Sequence, residues 1–244
     1  MLFERAIARA AVYPADVPAR WGTTLVVAPH PDDESLGCGG AITLMRQDGQ
    51  PVHVLFVSDG SMSHPHSQKY DARARRELRE QEARNALAEL GVSSSAITFL
   101  GLPDTRVPTE GTTGFEPAIT LITQYLHQTR PDTILAPWRR DPHGDHRATW
   151  QLLRAAVGRA GYAVHWMEYP IWVWETNDPE DLPTTAEGTW YKLKVADVLS
   201  QKRRAIAAHR SQTTSLIDDD PEGFTLSPEM ISHFTQSYEY YLEP

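Results

Sequence analysis

A single cysteine, Cys38, is all that this chain of 244 residues contains. No disulfide can close within it, and a cysteine-rich zinc site is excluded. Also missing is any run of about 18 apolar residues, the length a membrane-spanning helix needs. Basic residues are in deficit: 23 Lys and Arg face 32 Asp and Glu, for a formal charge of −9. A field of that sign repels phosphate backbones, so nucleic acid is not an expected partner. Glu4 and Arg5 fall where a signal peptide needs unbroken apolar sequence, so the N-terminus reads as mature protein. There is no internal repeat, low-complexity tract or composition shift, which leaves residues 1–244 as one expected domain of cytoplasmic type. What is present is ordinary globular composition, 41% hydrophobic and 23% charged.

Five short β-rich runs alternate with helical segments. The expected strands are 23–28, 52–57, 96–100, 133–136 and 163–169, each a brief apolar run. The expected helices are 2–11, 41–47, 68–90, 115–128 and 146–159, with Gly91 stopping the third. Such alternation predicts a Rossmann-like α/β/α sandwich with a mostly parallel sheet, ordered 3-2-1-4-5 and extended by C-terminal strands. Further on, 171–175 and 189–195 read as strands and 196–208 as a helix. The segment 29–40 reads as a polar loop. Its Gly37, Gly39 and Gly40 do not fit the dinucleotide fingerprint G-x-G-x-x-G and suggest a tight turn and close packing instead.

Two loops carry the chemistry-bearing residues. His30-Pro31-Asp32-Asp33-Glu34 follows the first strand, and His143-Gly144-Asp145-His146 follows the fourth. In the expected strand order these strands are neighbours, and their carboxyl ends flank the switch point where ligands bind. His30 and Asp33 are three apart, as are His143 and His146, so one helical turn can aim each pair at one point. Imidazoles and carboxylates are zinc ligands, and a catalytic zinc takes three protein ligands plus water. The loops therefore offer four candidate ligands and three further carboxylates, Asp32, Glu34 and Asp145. Each motif also has a plainer reading: loop histidines are often only solvated, and acidic residues favour helix N-termini.

The segment LVVAPHPDDESLGCGG resembles the opening signature of the PIG-L or LmbE-like family of metal-dependent N-acetylglucosamine deacetylases. Pro29 replaces the alanine of the family's A-H-P-D-D-E, and Gly144 replaces the proline of its H-P-D-H. A third stretch, Lys202 to Gln212, is similar to the family's K-x-x-A…H-x-S-Q segment. The resemblance implies His30, Asp33 and His146 as zinc ligands, in a site that ferrous iron can share. It implies Asp32 as general base, His143 as oxyanion partner or acid, and Asp145 as the carboxylate that orients and charges His143. Arg79 and Asp104 match substrate-binding positions, and Asp141 stands where a relative has tyrosine. His209 falls on a signature histidine that either lines the site or ties the C-terminal helix to the core. Trp138, Trp172 and Trp174 lie near the site strands, where aromatic faces suit sugar rings although most such residues are core.

The implied activity is removal of acetyl from an N-acetylated amino sugar, giving acetate and a free amine. Specificity would lie in loops 58–67, 101–114 and 170–190. A zinc amidase for a small non-sugar amide is the nearest alternative. A non-catalytic metabolite-binding module is the alternative from another class. The sequence is compatible with a homo-oligomer but does not specify one.

Overall fold

The computed structural model describes residues 2–14, 16–184 and 186–244. Thr185, within the 170–190 segment, lies outside the described residues. The strands are β1 (Ala11–Val12), β2 (Thr24–Ala28), β3 (Val52–Ser58), β4 (Ile97–Leu102), β5 (Thr133–Pro137), β6 (His165–Tyr169), β7 (Thr189–Lys194) and β8 (Tyr238–Glu243). The helices are α1 (Leu2–Ala6), α2 (Val17–Arg20), α3 (Asp33–Gln47), α4 (Ala72–Glu89), α5 (Phe115–Thr129), α6 (Gly144–Ala160), α7 (Leu199–Ala208), α8 (Arg210–Thr213) and α9 (Pro228–Phe234).

One sheet runs β1-β7-β8-β6-β5-β2-β3-β4. Its segment β4-β3-β2-β5-β6 is parallel throughout and reproduces the 3-2-1-4-5 order expected from the alternating pattern. The added strand β8 runs antiparallel to both β6 and β7. Strand side chains alternate between two cores. Val26, Val54, Phe56 and Leu135 pack on one face with residues of α3, α4 and α7. Leu25, Val27, Leu55 and Ile134 pack on the other with α5 and α6. Covering both faces is what makes β2 and β5 continuous apolar runs rather than alternating ones. Among the described residues, no helix is long and apolar enough to cross a membrane.

The structure departs from the sequence reading in four places. Ala11 belongs to β1, not to the first helix. Of the segment 29–40 read as a loop, residues 33–40 are the first two turns of α3, which begins at Asp33. Its glycines are packing residues: a Cβ on Gly37 would fall 2.3 Å from the Tyr169 ring, and one on Gly40 would fall 2.4 Å from Val195. The expected tight turn is absent. Residues 172–175 form a short 3-10 helix rather than a strand. Finally, β8 was not anticipated.

A candidate metal-dependent hydrolytic site

The site forms at the carboxyl ends of β2 and β5, where the two signature loops meet. Strand β2 ends at Ala28, and two residues later His30 begins the turn into α3. Asp33 Oδ2 accepts the His30 backbone N–H at 2.9 Å and also lies 3.3 Å from His30 Nδ1. The same oxygen is 3.3 Å from Nε2 of His146, which arrives on the first turn of α6. One carboxylate oxygen thus faces a nitrogen from each of two histidines that are 116 residues apart in the chain (146 minus 30). Burial would raise the Asp33 carboxyl, but His146 and His30 override it and hold it well below the usual carboxylate range.

Both ring nitrogens of His146 are buried and without a hydrogen-bond partner. A buried polar atom left unpaired costs about 1–3 kcal/mol, so such a pair of atoms calls for a partner. Two imidazoles and a carboxylate are the donor set that a borderline divalent cation takes, and the arrangement fits one. Behind each histidine stands a further carboxylate. His30 Nε2 lies 3.2 Å from Asp145 and 3.3 Å from Asp104, and His146 Nδ1 lies 3.4 Å from Asp141. Outer carboxylates of this kind fix the ring orientation of a ligating histidine. Burial alone would lower His30 and His146; the surrounding carboxylates raise both instead. By mutual proximity of ligand atoms alone, the described residues offer two trios that could hold a cation, His30, His143 and His146, or His30, Asp104 and Asp145; Asp33 is in neither and enters through its oxygen set between His30 and His146.

Asp32 occupies a strained position, with φ of 150° and ψ of −30°. Such a conformation in a non-glycine residue costs about 1–3 kcal/mol and persists only where neighbours enforce it. Two groups do so. Glu34 Oε2 accepts the Asp32 N–H at 3.0 Å, and Arg79 donates to Asp32 Oδ2 at 3.0 Å. Burial pushes the Asp32 carboxyl up to about 6, against the pull of Arg79. Glu34 is itself held by Ser35 and by His209, whose Nε2 lies 3.0 Å from Glu34 Oε1. His209 therefore ties the C-terminal helices to the first loop, and it is buried behind the cavity wall.

For three residues the structure shows partners that the sequence did not indicate. Arg79, matched to substrate binding, lines the cavity but donates to Asp32, to the Pro31 carbonyl and to the Gly60 carbonyl. Its observed role is to hold the Asp32 loop. Asp145, expected to orient and charge His143, turns its carboxylate to His30 and to the backbone N–H groups of Thr105 and Val107. What it gives His143 is its own backbone N–H, accepted by Nδ1 at 3.2 Å as the N-cap of α6. His143 is consequently not charged up. Burial, then His146 and His30, bring it down to about 4. Asp104 does line the cavity, with one oxygen on the Met62 N–H and the other facing His30.

The cavity measures about 220 Å³ and is lined by His30, Asp32, Asp33, Arg79, Asp104 and His143 together with apolar residues. Of the three tryptophans singled out by sequence, Trp172 lines it, whereas Trp138 and Trp174 are core. Two residues with local functions were missed. Asp141 accepts the N–H groups of His143, Ile171 and Trp172, and so joins the second loop to the 3-10 helix. Gln212 lines the cavity with its Oε1 unpartnered. The amide orientation is set by Ser211, whose hydroxyl donates to Glu82 and can only accept from Gln212 Nε2. The Ser211-Gln212 pair closes the H-x-S-Q stretch, which was the available signal; its place on the cavity wall comes only from the fold.

The fold and site define an α/β protein with a buried two-histidine, one-carboxylate centre at the switch point of a parallel sheet. The chain belongs to the PIG-L family, described as GlcNAc-PI de-N-acetylase, whose match covers residues 25–157 and so includes both signature loops. A probable N-acetyl-α-D-glucosaminyl L-malate deacetylase 2 from Bacillus subtilis is 30% identical over 200 residues, covering 79% of this chain and 84% of that protein. The N,N'-diacetylchitobiose deacetylase structure from Pyrococcus horikoshii superposes with a TM-score of 0.68 at 22% identity, covering 98% and 89% of the two chains. GalB, a 4-carboxy-2-hydroxymuconate hydratase from Pseudomonas putida, shares the fold with a TM-score of 0.61 at 21% identity over 77% of this chain and 78% of its own. The fold alone therefore admits more than one reaction, and the choice between them rests on the site.

Proposed function

We propose that this chain, as one PIG-L-like domain over residues 1–244, hydrolyses the acetamide of an N-acetylated amino sugar with a divalent cation, zinc in the first instance. The observation that carries this reading is the single Asp33 oxygen set 3.3 Å from a nitrogen of both His30 and His146, with the His146 nitrogens buried and unpaired. His30, Asp33 and His146 are the residues that would hold the cation. His143 is the weaker ligand candidate, because its Nδ1 already accepts the Asp145 N–H. A cation in this place supplies Lewis acidity toward the amide carbonyl and toward an attacking water.

The remaining steps fall to side chains. Asp32, adjacent to Asp33 and fixed by Arg79, takes the proton of the attacking water. Neutral His143 carries its proton on Nε2, since Nδ1 is an acceptor, and that N–H donates to the developing oxyanion. The depressed pKa of His143 fits a hydrogen-bond donor that stays neutral, not an imidazolium. The proton held by Asp32 then passes to the departing nitrogen. One water and one amide become acetate and a free amino sugar.

Asp104 has a carboxylate at the cavity surface and is assigned to a sugar hydroxyl. A hydrogen bond to a charged group is worth about 1.5–3 kcal/mol, so Asp104→Asn, assayed at saturating zinc because Asp104 also stands behind His30, should lower kcat/KM for the sugar by about 10- to 100-fold with the cation still bound. Elemental analysis beside acetate-release kinetics on a panel of N-acetyl sugars reads both quantities. Loss of the cation in Asp104→Asn would make Asp104 a ligand. Acetate released only from small non-sugar amides would replace the sugar assignment.

A further inference from the structure

The cavity has two unlike halves. Part of its lining is charged and part is apolar: Leu36, Ile171 and Leu226 are buried, Trp172 is half-buried, and Met62 and Phe224 are exposed and form the rim. Large hydrophobic side chains are rarely left in water without cause when they cluster. Among the described residues, the exposed ones are Val12, Met62, Leu121 and Phe224, and two of these four stand on this one rim. The Phe224 ring lies 5.4 Å from that of Trp172, which in turn lies nearly parallel to His143 at 5.8 Å. Trp172 and His143 also form a wall of a second cleft of about 250 Å³, shared with Pro142, Glu175 and Thr176. Each cleft alone is smaller than the roughly 300–1,000 Å³ of a usual small-ligand pocket, and the His143–Trp172 wall is common to both.

The exposure of this rim is built into the fold. The Phe224 N–H donates to the Ser63 carbonyl at 2.7 Å, fastening the Phe224 loop to the Met62 loop. Asp219 accepts from Ser67 Oγ and from the N–H groups of Gln68 and Lys69, and Asp220 accepts the His66 N–H. Gly223 lies so close to His64 that a Cβ would fall 2.1 Å from its ring. The two loops are thus pinned together by polar contacts, with Met62 and Phe224 held outward at the mouth.

Charge narrows what can sit there. Arg79 is the sole Lys or Arg lining either cleft among the described residues, and its terminal nitrogens are engaged by Asp32, Pro31 and Gly60. Asp32, Asp33, Asp104 and Glu175 line the same clefts. An anionic group meets carboxylates with no free cation to pair with. A second sugar ring laid on this side would set hydroxyls against Met62, Phe224 and Leu226, which offer no hydrogen bonds, and would have to turn to Ser63, Thr105 or Gln212 elsewhere on the lining. Resting on the deacetylase reading above, we propose that Met62, Trp172 and Phe224 form a subsite for an uncharged aromatic aglycone carried by the N-acetyl sugar.

The test measures kcat/KM by acetate release for phenyl N-acetylglucosaminide, free N-acetylglucosamine, diacetylchitobiose and N-acetylglucosaminyl malate, using the cation-loaded full chain. The phenyl glycoside should exceed each of the others by about tenfold, the equivalent of about 1.4 kcal/mol. In Met62→Ser/Phe224→Ser the ratio of phenyl glycoside to free sugar should fall toward one. Both side chains are exposed, and the wild-type ratios stand independently of how the variant behaves. Acetate release with malate or chitobiose preferred, or a phenyl preference that survives the double variant, would overturn the subsite alone. No acetate from any of the four would overturn the deacetylase reading on which it rests.

Discussion

His146→Ala is expected to emerge folded, without its divalent cation and with turnover reduced by at least about 10³, toward the upper end of what loss of a central catalytic group costs. The expectation follows from position. His146 is wholly buried, its Nε2 faces the Asp33 oxygen that also faces His30, its Nδ1 faces Asp141, and neither nitrogen makes a hydrogen bond. A graded companion is Asp141→Asn. That change keeps the size of the side chain and one acceptor oxygen for the N–H groups of Ile171 and Trp172, gives up the oxygen that accepts the His143 N–H, and removes the charge behind His146 Nδ1. Outer carboxylates of this kind are worth about 10–100-fold in metal affinity, so Asp141→Asn should bind the cation that much more weakly. Titration with zinc, followed by calorimetry or by competition with a chromophoric chelator, reads both variants. Wild-type affinity in His146→Ala would remove it from the ligand set and favour the cluster of His30, Asp104 and Asp145.

Asp32→Asn should have the opposite pattern: full cation content and a kcat/KM lower by about 10²–10⁴, the usual cost of losing a general base. Asparagine fits the same space, and Glu34 still accepts the backbone N–H that keeps residue 32 at its strained φ. Arg79, however, loses its charged partner while remaining buried, so a moderate loss of stability should accompany the loss of rate. Thermal unfolding with the cation bound separates the two effects. A variant that is destabilised yet turns over at the wild-type rate would show that Asp32 is structural and that the base lies elsewhere in the cavity.

Much of this could be read from the chain before any coordinates. The β-branched runs at 23–28 and 133–136 are continuous because both faces of their strands are covered, and that burial is what made strand order and switch point legible. The one-turn spacing of His30 with Asp33 and of His143 with His146 carried over directly into two loops that meet. Contacts made by distant parts of the chain were what local pattern could not supply. Gly37, Gly39 and Gly40 looked like a loop because glycine weakens helices, yet they sit inside α3 to admit Tyr169, Lys202 and Val195. Trp172 to Glu175 had the composition of a strand, but Asp141 captures the N–H groups of Ile171 and Trp172 and turns the chain into a 3-10 helix. Arg79 and Asp145 were correctly placed near the site and wrongly aimed, because spacing says which residues can approach and not which partner wins. The apolar rim was legible only in part: Met62 and Trp172 fall in the loops 58–67 and 170–190 expected to set specificity, whereas Phe224 comes from a stretch that the sequence did not single out.

The most direct test of the account is the stoichiometry of acetate and free amine from a phenyl N-acetylglucosaminide, before chelation, after it, and after zinc is restored. The account predicts equal amounts of the two products, no reaction in the chelated and still folded protein, and recovery with one cation per chain. Turnover that persists undiminished in the cation-free protein, or no acetate from the folded protein with His30, Asp33 and His146 occupied, would contradict it.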